Sequence, residues 1–192
     1  MANTCLLSDE SKHYLCCYHQ ILDEMIQGIT TAKLNQGISH NFIVQMVPHH
    51  RAAIRMSRNI LNVSDDRAVR RLAQRILEQR TQGIDQLEGL LTVCGQDTAP
   101  QMDLRLFQRR MDLIFREMFT QMGAAPEGNR LDAVYLREMI PHHQGAVRMS
   151  QNALRYGVAP ELEPVLSRLI RTQCQETGQM RTLLRRMGCQ GA

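Results

Sequence analysis

Aromatic residues are scarce in this sequence, and long apolar runs are missing from it. Phe, Trp and Tyr make up 4% of the 192 residues, and there is no Trp at all. No apolar run approaches the roughly 20 residues of a membrane-spanning helix. Residues 1–20 also lack the basic segment and continuous apolar stretch of a secretory signal. We therefore expect no membrane partner and a cytoplasmic location.

The cysteines do not have the spacing of a structural zinc site. The six cysteines include no Cys-x-x-Cys pair, which is the spacing typical of zinc knuckles. Thiols of a cytoplasmic protein are kept reduced, and adjacent cysteines seldom bridge without strain. We therefore expect free thiols at Cys5, Cys16, Cys17, Cys94, Cys174 and Cys189.

The net charge is small and spread along the chain. The formal charge of +4 comes mostly from arginines interspersed with Asp and Glu. Such mixed charge is typical of solvated helix faces and not of the basic patches that bind nucleic acids. We expect no nucleic-acid partner.

What the sequence does contain is an internal repeat centred on a Pro-His-His motif. The motif occurs at Pro48-His49-His50 and again at Pro141-His142-His143, which is 141 − 48 = 93 positions later. A period of this length divides the chain into two related units, residues 1–95 and 96–192. At the same offset, Met46, Ala53, Arg55, Met56, Ser57, Asn59 and Leu61 match Met139, Ala146, Arg148, Met149, Ser150, Asn152 and Leu154.

Each unit is predicted to form three helices. Apolar residues recur at helical spacing, and Gly and Pro cluster where helices end and begin. Ser39 and Asp132 are candidate N-caps of the middle helices, and Gly157 suits a left-handed position after the second of them. The predicted fold class is an all-α bundle with internal pseudo-twofold symmetry. The predicted helices span about 9–29, 39–61 and 66–93 in the first unit, and 100–122, 132–156 and 160–187 in the second.

The motif places possible metal ligands on one face of the middle helix. At 100° per residue, Met46, His49, His50 and Met56 fall within about one third of the helix circumference, and the second unit repeats this pattern. The proline of each motif cannot donate its backbone hydrogen bond, so a kink is expected there. Imidazole and thioether together suit Cu(I) or Ag(I), while imidazole alone also accepts Zn²⁺, Ni²⁺ or Cu(II). The sequence therefore predicts a soft-metal site, with copper first and other transition metals open.

Two other interpretations remain open. Met at helical spacing is often core filler, so the motif could simply fix helix geometry in a structural or assembly module. Against this, four buried imidazoles cost stability unless each finds a hydrogen-bond partner or a metal ion. A ferritin-like di-iron oxidase would need several inward-facing glutamates, yet Gln45 stands in the first unit where the second has Glu138. We interpret the protein as one that stores, buffers or senses a soft metal, and we leave enzymatic activity open.

The second motif and its surroundings resemble a known family. The string Tyr135-Leu136-Arg137-Glu138-Met139-Ile140-Pro141-His142-His143 is similar to the signature of a bacterial family known as domain of unknown function 305. The resemblance extends over nearly the whole chain, as two tandem copies. It implies a ferritin-like helical bundle, and it implies copper because some members are linked to copper handling in the periplasm. The positions that match the family pattern are Asp132, Tyr135, Met139, His142, His143, Met149, Gln173 and Glu176.

The first unit departs from this pattern because it lacks the two carboxylates. A carboxylate can orient a ligating imidazole and raise its basicity, whereas an arginine repels a cation. We therefore predict that removing His142 and His143 weakens Cu(I) affinity more than removing His49 and His50. Ser39, Arg80 and Gly83 stand in the first unit where the second has Asp132, Gln173 and Glu176.

The candidate ligands come from both units. Since a duplicated chain can complete a bundle alone, we expect a monomer, with a homodimer as the alternative. The candidates are His142, His143, Met139, Met149, Glu176 and Asp132 in the second unit, and His49, His50, Met46 and Met56 in the first.

Overall fold

The protein is a bundle of six α-helices in the computed structural model, which describes residues 6–94 and 98–188. These residues contain no strand, and the all-α prediction is confirmed. None of the helices in the described ranges has the length and hydropathy needed to cross a membrane. The predicted junction between the units, residues 95–100, lies partly outside the described residues. The helices are α1 (Asp9–Thr30), α2 (Ile38–Leu61), α3 (Arg67–Cys94), α4 (Gln101–Gly123), α5 (Leu131–Arg155) and α6 (Glu163–Arg186).

Local sequence explains several of the helix ends. The Ser8 hydroxyl accepts a hydrogen bond from the Ser11 backbone N–H at the start of α1. The Asp66 carboxylate does the same for two N–H groups at the start of α3. Gly157 follows α5 with a φ of 80°, which confirms the predicted left-handed position. Helix α6 begins three residues later than predicted, because residues 160–162 form a turn.

The predicted N-caps of the two middle helices are wrong. Helices α2 and α5 begin one residue before Ser39 and Asp132, with Gly37 and Arg130 at the cap positions. The Ser39 hydroxyl instead accepts a hydrogen bond of 2.8 Å from the backbone N–H of Ala159, in the loop that follows α5. The Ser39 hydroxyl oxygen, which a local N-cap would use, is therefore engaged in a contact with a distant segment of the chain.

Helices α2 and α5 form the centre of the bundle and pack against each other in opposite directions. His49 of α2 meets His142 of α5, whereas Ser57, later on α2, meets Tyr135, earlier on α5. Helices α1 and α3 flank α2, and α4 and α6 flank α5. The helix bounds of the second unit, less 93, fall within three residues of those of the first. Superposition of the two units stays a prediction.

Both motif prolines lie inside continuous helices. At Gly28 of α1, an added Cβ would stand 2.8 Å from the Cβ of Pro48. Real Cβ atoms essentially never come that close, so only glycine allows α1 to pack this tightly on the proline of α2. The close contact holds α1 against the part of α2 that carries the histidines.

Candidate metal centre

The four motif histidines form a row across the centre of the bundle. Each is 3% exposed or less. The ring centroids are 6.2 Å apart for His50 and His49, 3.6 Å for His49 and His142, and 5.9 Å for His142 and His143. The row therefore runs from α2 to α5, and its middle pair joins the two units.

The middle pair makes a reciprocal contact that fixes how each ring is protonated. His49 Nε2 lies 3.1 Å from the carbonyl oxygen of His142, and His142 Nε2 lies 3.0 Å from the carbonyl oxygen of His49. A carbonyl oxygen can only accept, so each Nε2 must carry the proton and donate it. In the neutral ring, Nδ1 is then a bare lone pair. Neither Nδ1 has a hydrogen-bond partner within the described residues.

His143 is tied to a buried ion pair. Its Nε2 lies 2.9 Å from Glu176 Oε2 on α6 and 3.2 Å from Arg80 Nη2 on α3. Arg80 also forms a salt bridge with Glu176, and both side chains are about 5% exposed. One Nε2 cannot both donate and accept, and the charged carboxylate is the nearer partner, so Nε2–H donates to Glu176. His143 Nδ1 is left without a partner among the described residues.

Arg80 of the first unit thus forms its salt bridge with Glu176 of the second unit. Burial raises the pKa of Glu176, but the hydrogen bond from His143 and the charge of Arg80 together hold it below its ordinary value. The carboxylate is therefore ionised, and its charge is balanced by the guanidinium. Arg80 also lines the cavity beside His50, and after burial its charge is the next cause that lowers the pKa of His50. The expectation that Arg80 disfavours a cation beside the first unit's histidines stays a prediction.

His50 is buried and lies beside a cavity whose lining, among the described residues, contains no carboxylate. At Gly83, an added Cβ would lie 3.1 Å from His50 Cδ2 and 3.2 Å from its Nε2. A cavity of about 240 Å³ lies beside the ring and is lined also by Gly83, Arg80 and Arg168. His50 Nδ1 has no hydrogen-bond partner within the described residues.

The four methionines of the motifs are all buried. Met46 and Met139 precede their histidines by three and four residues, so their side chains share a helix face with the imidazoles. Met56 and Met149 lie about two turns further along the same helices and are equally buried. All four remain candidates as thioether ligands.

Asp132 lies apart from the histidine row. It precedes His142 by ten residues, which is about 15 Å along a helix. Asp132 lines a pocket together with Ser64, Asp65 and Asp66, which belong to the loop after α2. Burial raises the pKa of its carboxyl group. The structure brings Glu176 to the row and leaves Asp132 at the end of the bundle.

A second buried polar pair was not predicted from the sequence. The Tyr14 hydroxyl on α1 donates a hydrogen bond of 2.9 Å to Glu138 Oε2 on α5. Burial raises the pKa of Glu138 to about 8, although the hydrogen bond from Tyr14 opposes this. At the offset of 93, the first unit's counterpart of Glu138 is Gln45, and Tyr14 corresponds to Phe107. The two units differ at both positions, and this joint difference is the sequence signal that points to the contact between Tyr14 and Glu138.

Comparison with known proteins decides the family. The family described as "Domain of unknown function (DUF305)" matches residues 39–184. The chain belongs to the DUF305 family. The resemblance inferred from the motif is confirmed, while a search of curated proteins found no match to this DUF305 chain.

Solved structures share the fold of this DUF305 protein. A DUF305 fragment from Deinococcus radiodurans is 28% identical, with a TM-score of 0.58 over 81% of this chain and 98% of that one. A DUF305 protein from Streptomyces coelicolor is 22% identical, with a TM-score of 0.63 over 82% and 97% of the two chains. CopM in its apo form is 26% identical, with a TM-score of 0.57 over 77% and 96%. CopM has also been solved with silver and with Cu(II). These neighbours fit a ferritin-like helical bundle.

The donor set of this DUF305 protein fits a soft ion. Within residues 6–94 and 98–188, no three side chains of His, Cys, Asp or Glu converge on one point as a ready-made metal cage. The row instead offers neutral Nδ1 atoms beside a carboxylate whose charge Arg80 already balances. Neutral nitrogen and sulfur donors suit Cu(I) and Ag(I) and do not suit Mg²⁺ or Ca²⁺.

The metal-free DUF305 protein is expected to lose stability as the pH falls below 6.5. Burial lowers the folded-state pKa of His49, His50, His142 and His143 below the ordinary value of 6.5. Below 6.5 the unfolded chain therefore binds more protons, which costs up to about 1.4 kcal/mol per pH unit for each histidine. Glu138 has its pKa raised to about 8, so it contributes a slope of opposite sign to the free energy of unfolding and cancels that of one histidine over this range.

Urea denaturation at several pH values between 7.5 and 5 measures this effect. We expect the free energy of unfolding to fall by up to about 4 kcal/mol per pH unit, three times the single-histidine slope. A variant with the exposed His13 and His19 replaced by Gln is the control and should keep the slope. A flat profile in the wild type would show that the four buried rings are not neutral in the folded state.

Proposed function

We propose that this DUF305 protein binds a soft monovalent metal ion, Cu(I) in the cytoplasm, and stores, buffers or senses it without turnover. The observation that carries the proposal is the set of four buried Nδ1 atoms without a partner in the described residues. Three of the four rings have their Nε2 atoms satisfied by a carbonyl or a carboxylate. Each of their Nδ1 atoms therefore carries a lone pair that can bind a metal ion.

The cost of leaving these atoms unpaired argues against a purely structural role. A buried polar atom without a partner costs about 1–3 kcal/mol. A structural module would be expected to satisfy both nitrogens of each ring, as most buried polar groups are satisfied. Glu176 Oε1 and both amide atoms of Gln173 are also buried without partners among the described residues. A metal ion would use lone pairs that otherwise only destabilise the bundle.

The charge balance supports a monovalent ion. Arg80 already neutralises Glu176, so an added dication would bring two uncompensated positive charges into the core. Cu(I) brings one charge and accepts imidazole and thioether ligands. The CopM crystals with silver and with Cu(II) support copper as the class of metal.

A di-iron oxidase is the weaker candidate. Such centres need a Glu from each of two helices and Glu-x-x-His motifs from two others. In the described ranges the buried carboxylates are Glu138 and Glu176. Tyr14 holds the first and Arg80 the second, so neither is available to bridge two irons.

The test is a titration of the full-length protein with Ag(I), observed by nuclear magnetic resonance of ¹⁵N-labelled histidine. Accessible thiols are first alkylated, because thiolates would otherwise take the silver. We expect one equivalent of Ag(I) to shift the unprotonated Nδ1 resonances of His49 and His142 while each Nε2 keeps its proton. If these resonances stay in place at one equivalent while exposed His13 or His19 shifts, the core histidines are structural.

A further inference from the structure

The outer face of α1 carries a second cluster of soft ligands. His13, Cys16 and Cys17 occupy positions i, i+3 and i+4, so with His13 at zero the two cysteines lie at about −60° and +40° around the helix. His13 and Cys16 are exposed, and Cys17 is half-buried. Both cysteines are free thiols. The three donors thus face solvent, away from the histidine row.

Two of the donors already stand at the separation that one metal ion requires. Cys17 Sγ and His13 Nε2 are 3.8 Å apart. With a metal–sulfur distance of about 2.3 Å and a metal–nitrogen distance of about 2.0–2.1 Å, two ligands at angles of about 110–120° lie roughly 3.6–3.8 Å apart. The helix therefore holds a sulfur and a nitrogen in chelating geometry. Among the described residues no three His, Cys, Asp or Glu side chains converge in the observed rotamers. Cys16, at about −60° around the helix, therefore joins the pair only after its side chain changes rotamer.

The packing of α1 does not account for this cluster. The core-facing side of α1 carries Tyr14, Leu15 and Tyr18, which are buried. None of the three cluster residues is among the buried core residues, and free thiols on a surface are a liability in the absence of a use. Cys174 on α6 is also exposed, but no histidine precedes it by three or four residues. It therefore serves as a matched thiol without an imidazole.

We propose that His13, Cys16 and Cys17 form a second, surface site for a thiophilic ion, with Cu(I) bound by two thiolates and one imidazole. Two soft sulfurs and one imidazole suit Cu(I), and deprotonation of the thiols is coupled to binding. At the surface, such a site can exchange its ion with the thiols of other molecules. The surface site does not include the buried histidines, so it can be tested independently of the proposed core site.

The test is differential alkylation of the full-length protein. Iodoacetamide reacts under anaerobic conditions with and without two equivalents of Cu(I), and mass spectrometry follows residues 13–33 and 172–181 after tryptic digestion. We expect Cu(I) to slow alkylation of Cys16 and Cys17 on the order of tenfold, since a coordinated thiolate is no longer a free nucleophile. Alkylation of Cys174 should stay unchanged.

Two variants make the outcome specific. His13→Gln should restore part of the reactivity of Cys17 in the presence of Cu(I), because it removes the nitrogen ligand and leaves the two thiolates. His49→Gln/His142→Gln should leave the protection intact. Equal protection of Cys174, or undiminished protection in His13→Gln, would overturn the three-donor site. Loss of protection in the core variant would show that the surface site is not independent.

Discussion

Replacing Arg80 with Gln is expected to raise the affinity for Cu(II) and Zn(II) about tenfold or more, because a buried positive charge next to the proposed metal site is removed. The same change should lower the stability of the metal-free protein by about 3 kcal/mol, since Glu176 loses its buried ion-pair partner. Gln is a conservative choice, because Gln173 occupies the equivalent place in the second unit. Arg80 would then be the residue that keeps divalent ions out of the core.

Urea denaturation and competition titrations with divalent-metal chelators measure the two effects. The matched control is Arg75→Gln on the same helix, where the exposed guanidinium donates a hydrogen bond to Gln179. This control should change neither quantity by more than a surface substitution does. Unchanged affinity for both divalent ions in Arg80→Gln would show that Arg80 has no part in metal selectivity.

Replacing both middle histidines is expected to weaken binding of Ag(I) and Cu(I) by more than about 100-fold, which is the upper range for losing an outer partner of a ligand. The change is His49→Gln/His142→Gln. The Gln side-chain amide can still donate to the opposite carbonyl, but it offers no nitrogen lone pair. The loss should therefore report on Nδ1 and not on the hydrogen bonds that join α2 to α5.

The outer pair serves as the comparison. His50→Gln/His143→Gln should weaken Ag(I) binding by about tenfold, because these rings flank the pair that joins the two units. The sequence comparison of the two units predicts that His142 and His143 matter more than His49 and His50. The structure groups the rings differently, across the units, so single replacements at all four positions separate the two groupings.

The shared helix face of the motif residues was predictable from the sequence because helical periodicity is local. A helical period of 3.6 residues decides that the motif histidines and methionines share one face, and all of them are buried in the structure. The helix bounds and the position of Gly157 follow from equally local rules. The family assignment followed from the motif around His142 and His143 and is confirmed.

The contacts between the units could not be predicted, because they depend on how α2 is set against α5. The offset of 93 relates each residue to its copy but says nothing about which residues meet. Arg80 meets Glu176, and Ser39 meets Ala159, only after the helices have packed. Ser39 was misjudged as a cap for the same reason. Asp132 was predicted as a partner of the histidines, but ten residues of helix separate it from His142.

The most direct test of metal binding by the histidine row is a competition titration of Ag(I) on full-length protein with alkylated thiols. It compares the wild type, His49→Gln/His142→Gln and Arg75→Gln, each shown to be folded by circular dichroism. The prediction is one tightly bound Ag(I) in the wild type and in Arg75→Gln, and its loss from the histidine variant. Tight binding of one Ag(I) by a folded His49→Gln/His142→Gln protein would contradict it.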